Sequence, residues 1–128
     1  MAFLLDTHTF IWAMEGDPRL TASAKRLLED PAQMKIVSVV SGWEIAIKMG
    51  TGKLTLALPF GEIFPGRLDS WGFKLLPIEC PHLHRLLELP RHHGDPFDRL
   101  IAAQALSEDF TLVGCDAAFD AYGVRRLW

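Results

Sequence analysis

Asp6, Glu44, Asp98 and Asp116 are the residues of this chain whose types and placing could do chemistry together. Asp6 ends the apolar run Ala2-Phe3-Leu4-Leu5, and Asp116 follows Phe110-Thr111-Leu112-Val113-Gly114-Cys115. Glu44 lies in a helical pattern directly after Lys35-Ile36-Val37-Ser38. Asp98 lies in the first turn of a helix opened by Asp95 and Pro96, the preferred cap and first-turn residue types. Like charges packed within a few ångströms cannot all stay ionised unless something neutralises them. Mg²⁺ or Mn²⁺ does this, because hard cations take oxygen ligands. A carboxylate set without Cys or His at ligand spacing points to these ions rather than to zinc. Such ions activate water and stabilise charge on a phosphoryl group, and phosphodiester hydrolysis is the natural use.

Each acid also has a plain structural role open to it. Asp6 and Asp116 can cap the helices that follow their strands. Glu44 can pair with Lys48 one turn on, for a few tenths of a kcal/mol. Asp98 stands three residues after Asp95, where its carboxylate can reach back to the cap. It also lies above Ile101 and Ala102 on a face continuing to Ala105 and Leu106, so it looks toward the protein body. A carboxylate there needs a partner, because burying an unpaired charge is costly.

The elements that would position these acids alternate. Strands are predicted at 2–5, 35–38, 73–76 and 110–115, with an edge strand over 124–128. Helices are predicted at 7–14, from Thr21 or Ser23 to Glu29, over 40–49, over 79–89 and from Asp95 through Ala105. Residues 53–59 read as extended or loop, and 60–71 has helical spacing interrupted by Pro65 and Gly66. Val40, Trp43 and Ile47 form the apolar stripe of the helix carrying Glu44, which borders that stripe. This pattern is α/β, with a central parallel sheet of four to five strands covered on both faces. In such sheets, sites form at the carboxyl ends of the strands, which is where the four acids fall.

Four segments then carry a resemblance. Leu4-Leu5-Asp6-Thr7-His8, Val37 to Lys48, His93 to Ala105, and Leu112 to Phe119 resemble, in order, the motifs of PIN-domain proteins, above all the VapC-type toxins of bacterial toxin–antitoxin pairs. The resemblance runs nearly end to end. It implies one PIN domain over 1–128 with a three-layer α/β/α fold, and a Mg²⁺- or Mn²⁺-dependent endoribonuclease leaving a 5′-phosphate and a 3′-hydroxyl. By motif position, Asp6 and Asp98 would be the principal metal ligands. Glu44 would bind metal or orient the attacking water, and Asp116 would bind a second ion directly or through water. Thr7 and Ser41 match hydroxyl positions beside the acids. Gly114 departs from the pattern, standing where a Thr or Ser often precedes the last acid, and so removes a polar contact. The resemblance further implies a homodimer held in check by a small VapB-like antitoxin.

Composition narrows the alternatives. The 128 residues suit one domain, and a hydrophobic fraction of 49% supplies a core. The net charge of −3 argues against a broad basic nucleic-acid footprint, although acidic metal ligands themselves lower the charge of a nuclease. No apolar run is long enough to span a bilayer, no signal-peptide pattern opens the sequence, and Cys80 and Cys115 lack metal-type spacing, so a cytoplasmic protein with two buried free thiols is expected. His92 and His93 read as solvated with an acid–base role as the alternative, and Asp95 as a cap rather than a ligand. Arg99, Lys48 and Lys53 read as surface charges that could also meet phosphate. Trp12, Trp43 and Phe10 read as core rather than a stacking platform. A PIN-fold module that binds RNA or protein without turnover is the competing function, and a DNA or structure-specific nuclease a third.

Overall fold

The computed structural model describes residues 1–91 and 94–128. β1 (Ala2–Leu5) leads through α1 (Thr7–Glu15) and α2 (Ala22–Glu29) to β2 (Met34–Ser38) and α3 (Val39–Gly50). After a long connection come β3 (Phe73–Leu76), α4 (Cys80–Glu88), α5 (Pro96–Glu108), β4 (Thr111–Val113), a 3₁₀ turn (Ala117–Tyr122) and β5 (Arg126–Leu127). The five strands form one sheet in the order β3-β2-β1-β4-β5, and every pairing is parallel.

Alternation along the strands supplies both cores, because successive side chains leave a strand on opposite faces. Leu4, Ile36 and Leu112 pack with Leu100, Ile101, Ala105, Phe119 and Tyr122 on one side. Phe3, Leu5, Val37 and Val113 pack with Phe10, Ile11, Ala24, Leu27, Ile63 and Leu68 on the other. Helices therefore cover both faces, giving the predicted α/β/α layers. α3 bridges the two cores, with Val40 in the first and Ile45 in the second.

Local chemistry explains where the elements begin and end. Thr21 is the residue that opens α2, its hydroxyl accepting the Ala24 N–H at 3.1 Å. Lys35 is buried in β2, yet its ammonium donates to the Leu28 and Asp30 carbonyls at 3.1 Å each and so caps the end of α2. The segment predicted as helical over 60–71 winds irregularly through Glu62–Arg67 instead and is broken at Phe64 (φ −119°, ψ 109°). The cause is Pro65, because the residue before a proline is driven out of the α region.

One prediction about packing fails instructively. Val40 is buried, but Trp43 and Ile47 are exposed at 49% and 43%, and Ser41, Glu44 and Ile45 point inward. The helix is turned by about 100°, one residue's step, from the orientation its apolar residues alone suggest. Polar groups that find partners inside override the apolar stripe.

Ile101 has no exposed surface and lies in the core under α5. Ile101→Ala is expected to cost about 2–5 kcal/mol of stability, read from the midpoint of urea unfolding.

Candidate active site

The sheet order places a switch point at β1. The chain leaves β1 for β2 on one side, and β4 returns on the other. Leu5 pairs with Val37 and with Val113, so Asp6, Ser38 and Gly114 follow side by side at the carboxyl end. Asp6 N–H donates to the Val113 carbonyl at 3.0 Å, and the Thr9 hydroxyl donates to the same carbonyl at 3.0 Å. α1 is thereby clamped across the end of β4.

Asp6 is 4% exposed and caps α1, its Oδ1 accepting the Thr9 N–H at 2.8 Å. Its Oδ2 lies against Gly114. A Cβ on residue 114 would stand 2.5 Å from Oδ2 and 2.9 Å from Cγ, closer than such atoms approach. Gly114 is thus more than the loss of a polar contact suggested by the sequence: it makes the space in which the Asp6 carboxylate sits. Burial raises the Asp6 pKa above its ordinary value, against the hydrogen bonds from Thr9 and the charge of His8, and the charge of Asp116 adds to the rise. Asp116 is therefore near enough to be felt by Asp6. It is half-buried and caps the 3₁₀ turn, its Oδ1 accepting the Ala118 N–H at 2.9 Å.

Glu44 arrives from α3. Ser38 caps that helix through the Val40 N–H at 3.0 Å, and the Ser41 hydroxyl bonds the Thr7 hydroxyl at 2.9 Å, tying α3 to the start of α1. Glu44 is 3% exposed. Its Oε2 meets the Lys48 ammonium at 2.6 Å, the ion pair foreseen from the i,i+4 spacing. Its Oε1 is buried and has no hydrogen-bond partner among the described residues. Such an atom carries the cost of lost hydration without return.

Asp98 arrives from α5. Asp95 caps this helix, accepting the Phe97 and Asp98 N–H groups on Oδ1 at 2.8 and 3.1 Å. The Phe97 and Trp43 rings meet edge to face, 4.7 Å between centroids. This contact ties the second turn of α3, where Glu44 follows Trp43, to the first turn of α5, where Asp98 follows Phe97. Asp98 is half-buried.

All four acids therefore stand on elements that start or end at one end of the sheet. They do not form a tight three-donor cluster in this conformation. The set of three metal-type donors within 4.8 Å among the described residues is instead Glu79, His82 and Glu108, which includes none of the four acids. Both ring nitrogens of His82 are already engaged, Nδ1 by the Glu79 N–H at 3.0 Å and Nε2 by Glu108 Oε1 at 2.8 Å. That cluster is the hydrogen-bonded start of α4. The donors at the four-acid end fit a hard divalent cation: all are oxygens, and Glu44 Oε1 is buried without a hydrogen-bond partner among the described residues.

Other candidates resolve one by one. Arg99 donates to the Pro90 and Leu89 carbonyls at 2.8 and 3.4 Å, so it closes the end of α4 rather than standing as a surface charge. Phe10 is core, as predicted, whereas Trp12 is only partly buried, with Arg19 over its ring at 4.6 Å. Cys80 and Cys115 are exposed rather than buried, because Cys80 opens α4 at its first position and Cys115 follows the end of β4. His92 and His93 lie outside the described residues. The sequence reading passed over Gln104, a buried polar residue in the apolar face of α5; that interruption was its visible signal.

The PIN domain model matches residues 3–124. The chain belongs to the PIN domain family. Among solved structures, this PIN chain resembles VapBC2 from Rickettsia felis bound to a DNA fragment from the promoter (19% identity, TM-score 0.71, covering 99% of this chain and 98% of that one). It also resembles VapBC-1 from nontypeable Haemophilus influenzae (19%, 0.68, 99% and 97%) and FitAcB from Neisseria gonorrhoeae (19%, 0.64, 98% and 96%). At these identities the likeness is one of fold. No curated protein matches the chain.

Two measurements test this geometry. The folded pKa of Asp6 lies above its ordinary 3.8, so the stability it contributes falls as pH rises from 3.8 through the folded value. Asp6→Asn keeps an acceptor for Thr9 and removes the charge. In EDTA, its Tm relative to wild type is expected to rise as pH increases above 3.8; a difference flat with pH would contradict the buried-charge account. Gly114→Ala must displace the Asp6 carboxylate and is expected to cost about 1–3 kcal/mol, measured by urea denaturation.

Proposed function

We propose that this PIN domain is a metal-dependent endoribonuclease acting as the toxin of a toxin–antitoxin pair. The observation that carries the reading is Glu44 Oε1, buried and without a hydrogen-bond partner among the described residues; it is supported by the elements bearing Asp6, Glu44, Asp98 and Asp116 starting or ending at the switch-point end of the sheet. Asp6 and Asp98 would be the principal ligands of Mg²⁺ or Mn²⁺, with Glu44 and Asp116 completing the set. A bound divalent ion would stabilise charge developing on the phosphoryl oxygens and favour ionisation of water.

The chain's own groups do the rest. Thr9 and Gly114 fix the Asp6 carboxylate, one by a hydrogen bond and the other by leaving it room. Glu44 offers Oε1 to orient the attacking water while Lys48 holds Oε2. Water adds at phosphorus, the P–O3′ bond breaks, and the 3′-oxygen takes up a proton, leaving a 5′-phosphate and a 3′-hydroxyl.

The partner reading is that the chain forms a homodimer and is held by a VapB-like antitoxin in the cytoplasm. It is supported by the FitAcB, VapBC2 and VapBC-1 likenesses and by exposed apolar surface. Trp43 and Leu75, 49% and 42% exposed, line one apolar groove with Phe60, Phe64 and Pro65. No helix among the described residues is long and apolar enough to cross a membrane.

Purified protein is expected to cleave RNA with Mg²⁺ or Mn²⁺ and to stop on EDTA addition. Asp98→Asn should lower the rate on the order of a hundredfold or more while leaving Tm and antitoxin binding intact. Cleavage at the wild-type rate by that variant would sink the assignment, whereas RNA binding without turnover by the wild type would favour the binding-module reading.

A further inference from the structure

Gln104 has no exposed surface, although its neighbours in α5 are Ile101, Ala102, Ala103 and Ala105. Its amide spans a buried hydrogen-bonded chain. Oε1 meets the Ser38 hydroxyl at 2.5 Å, while Nε2 meets the Pro77 carbonyl at 3.2 Å and His82 Nδ1 at 3.3 Å. The ends of the chain fix its direction. The Val40 N–H donates to Ser38 Oγ, so the hydroxyl proton is free to go to Gln104 Oε1. The Glu79 N–H donates to His82 Nδ1, so that nitrogen is an acceptor and the ring proton sits on Nε2, facing Glu108 Oε1 at 2.8 Å. Gln104 Nε2 then donates to the Pro77 carbonyl and shares the single Nδ1 lone pair of His82 with the Glu79 N–H. Both polar atoms of the amide are used, and in one orientation.

This chain joins the elements that carry the acids. Ser38 is the cap of α3, the helix of Glu44, and Gln104 belongs to α5, the helix of Asp98. Pro77 follows β3, and His82 opens α4. An apolar side chain would fill the same volume but would not fix angles, because cores tolerate volume-conserving swaps while losing uniqueness.

We propose that Gln104 is a positioning residue for the active site, setting the first turn of α3 against α5 through Ser38. The inference rests on the nuclease reading and deepens it. Small displacements of reacting groups, about 1 Å, can cost as much as a hundredfold in rate.

Gln104→Met is expected to lower kcat on RNA by about tenfold or more, with KM within about twofold, and to weaken Mn²⁺ binding by about threefold in calorimetry. Ile101→Val, a comparably buried change on the same helix, should move neither. Wild-type kcat and Mn²⁺ affinity in folded Gln104→Met would overturn the proposal. Should that variant not fold, NMR of the wild type decides. Titration with Mg²⁺ should shift the Gln104 side-chain amide and the His82 ring in step with the backbone amides of Asp6 and Glu44. Stationary Gln104 and His82 signals beside a responding site would overturn it. A wild type that neither responds to Mg²⁺ nor cleaves RNA would instead overturn the nuclease reading, and this one with it.

Discussion

The parallel pairing of β1 with β4 is the constraint on which the rest of this structure depends. It sets Leu5 beside Val113, and from that register the next residues have almost no freedom. The Val113 carbonyl takes hydrogen bonds from both Asp6 and Thr9. The Asp6 side chain must then occupy the space beside residue 114, and only glycine leaves that space open. A slip of one residue in this pairing would turn Leu4 and Leu112 to the wrong faces and carry Asp6 away from the carboxyl end.

The same end of the sheet gathers helix N-termini. Asp6, Ser38, Asp95 and Asp116 cap α1, α3, α5 and the 3₁₀ turn in sequence. The positive ends of these elements lie near the acids and offset part of their mutual repulsion. The structural roles foreseen for three of the acids are all present: Asp6 and Asp116 are caps, and Glu44 is an ion-pair partner.

Much of this was legible in the sequence because it is local. Strand runs such as Ala2–Leu5 and Phe73–Leu76 are bounded by residues that end them, and Asp95-Pro96 announces a helix start. The order of the four acid-bearing segments was likewise enough to expect the PIN fold. What escaped was set by contacts distant along the chain. Ser41 turns inward because Thr7, 34 positions away, receives it, and Glu44 on the same face is carried in with it, which no apolar stripe records. Gly114 matters through the position of Asp6, and Gln104 through Ser38 and His82, residues 66 and 22 positions away. Arg99 looked like a free surface charge because the carbonyls it meets, Leu89 and Pro90, lie ten and nine positions back, just past the end of α4.

The 2.6 Å contact between Lys48 and Glu44 has a consequence for the order of events in the cell. A deeply placed acid is tolerated here because an ammonium from its own helix travels with it through collapse. The nascent polypeptide thus carries an internal counter-ion and can reach its compact form before any mineral cation arrives. Collapse of the chain around Glu44 therefore waits on no charge from outside it.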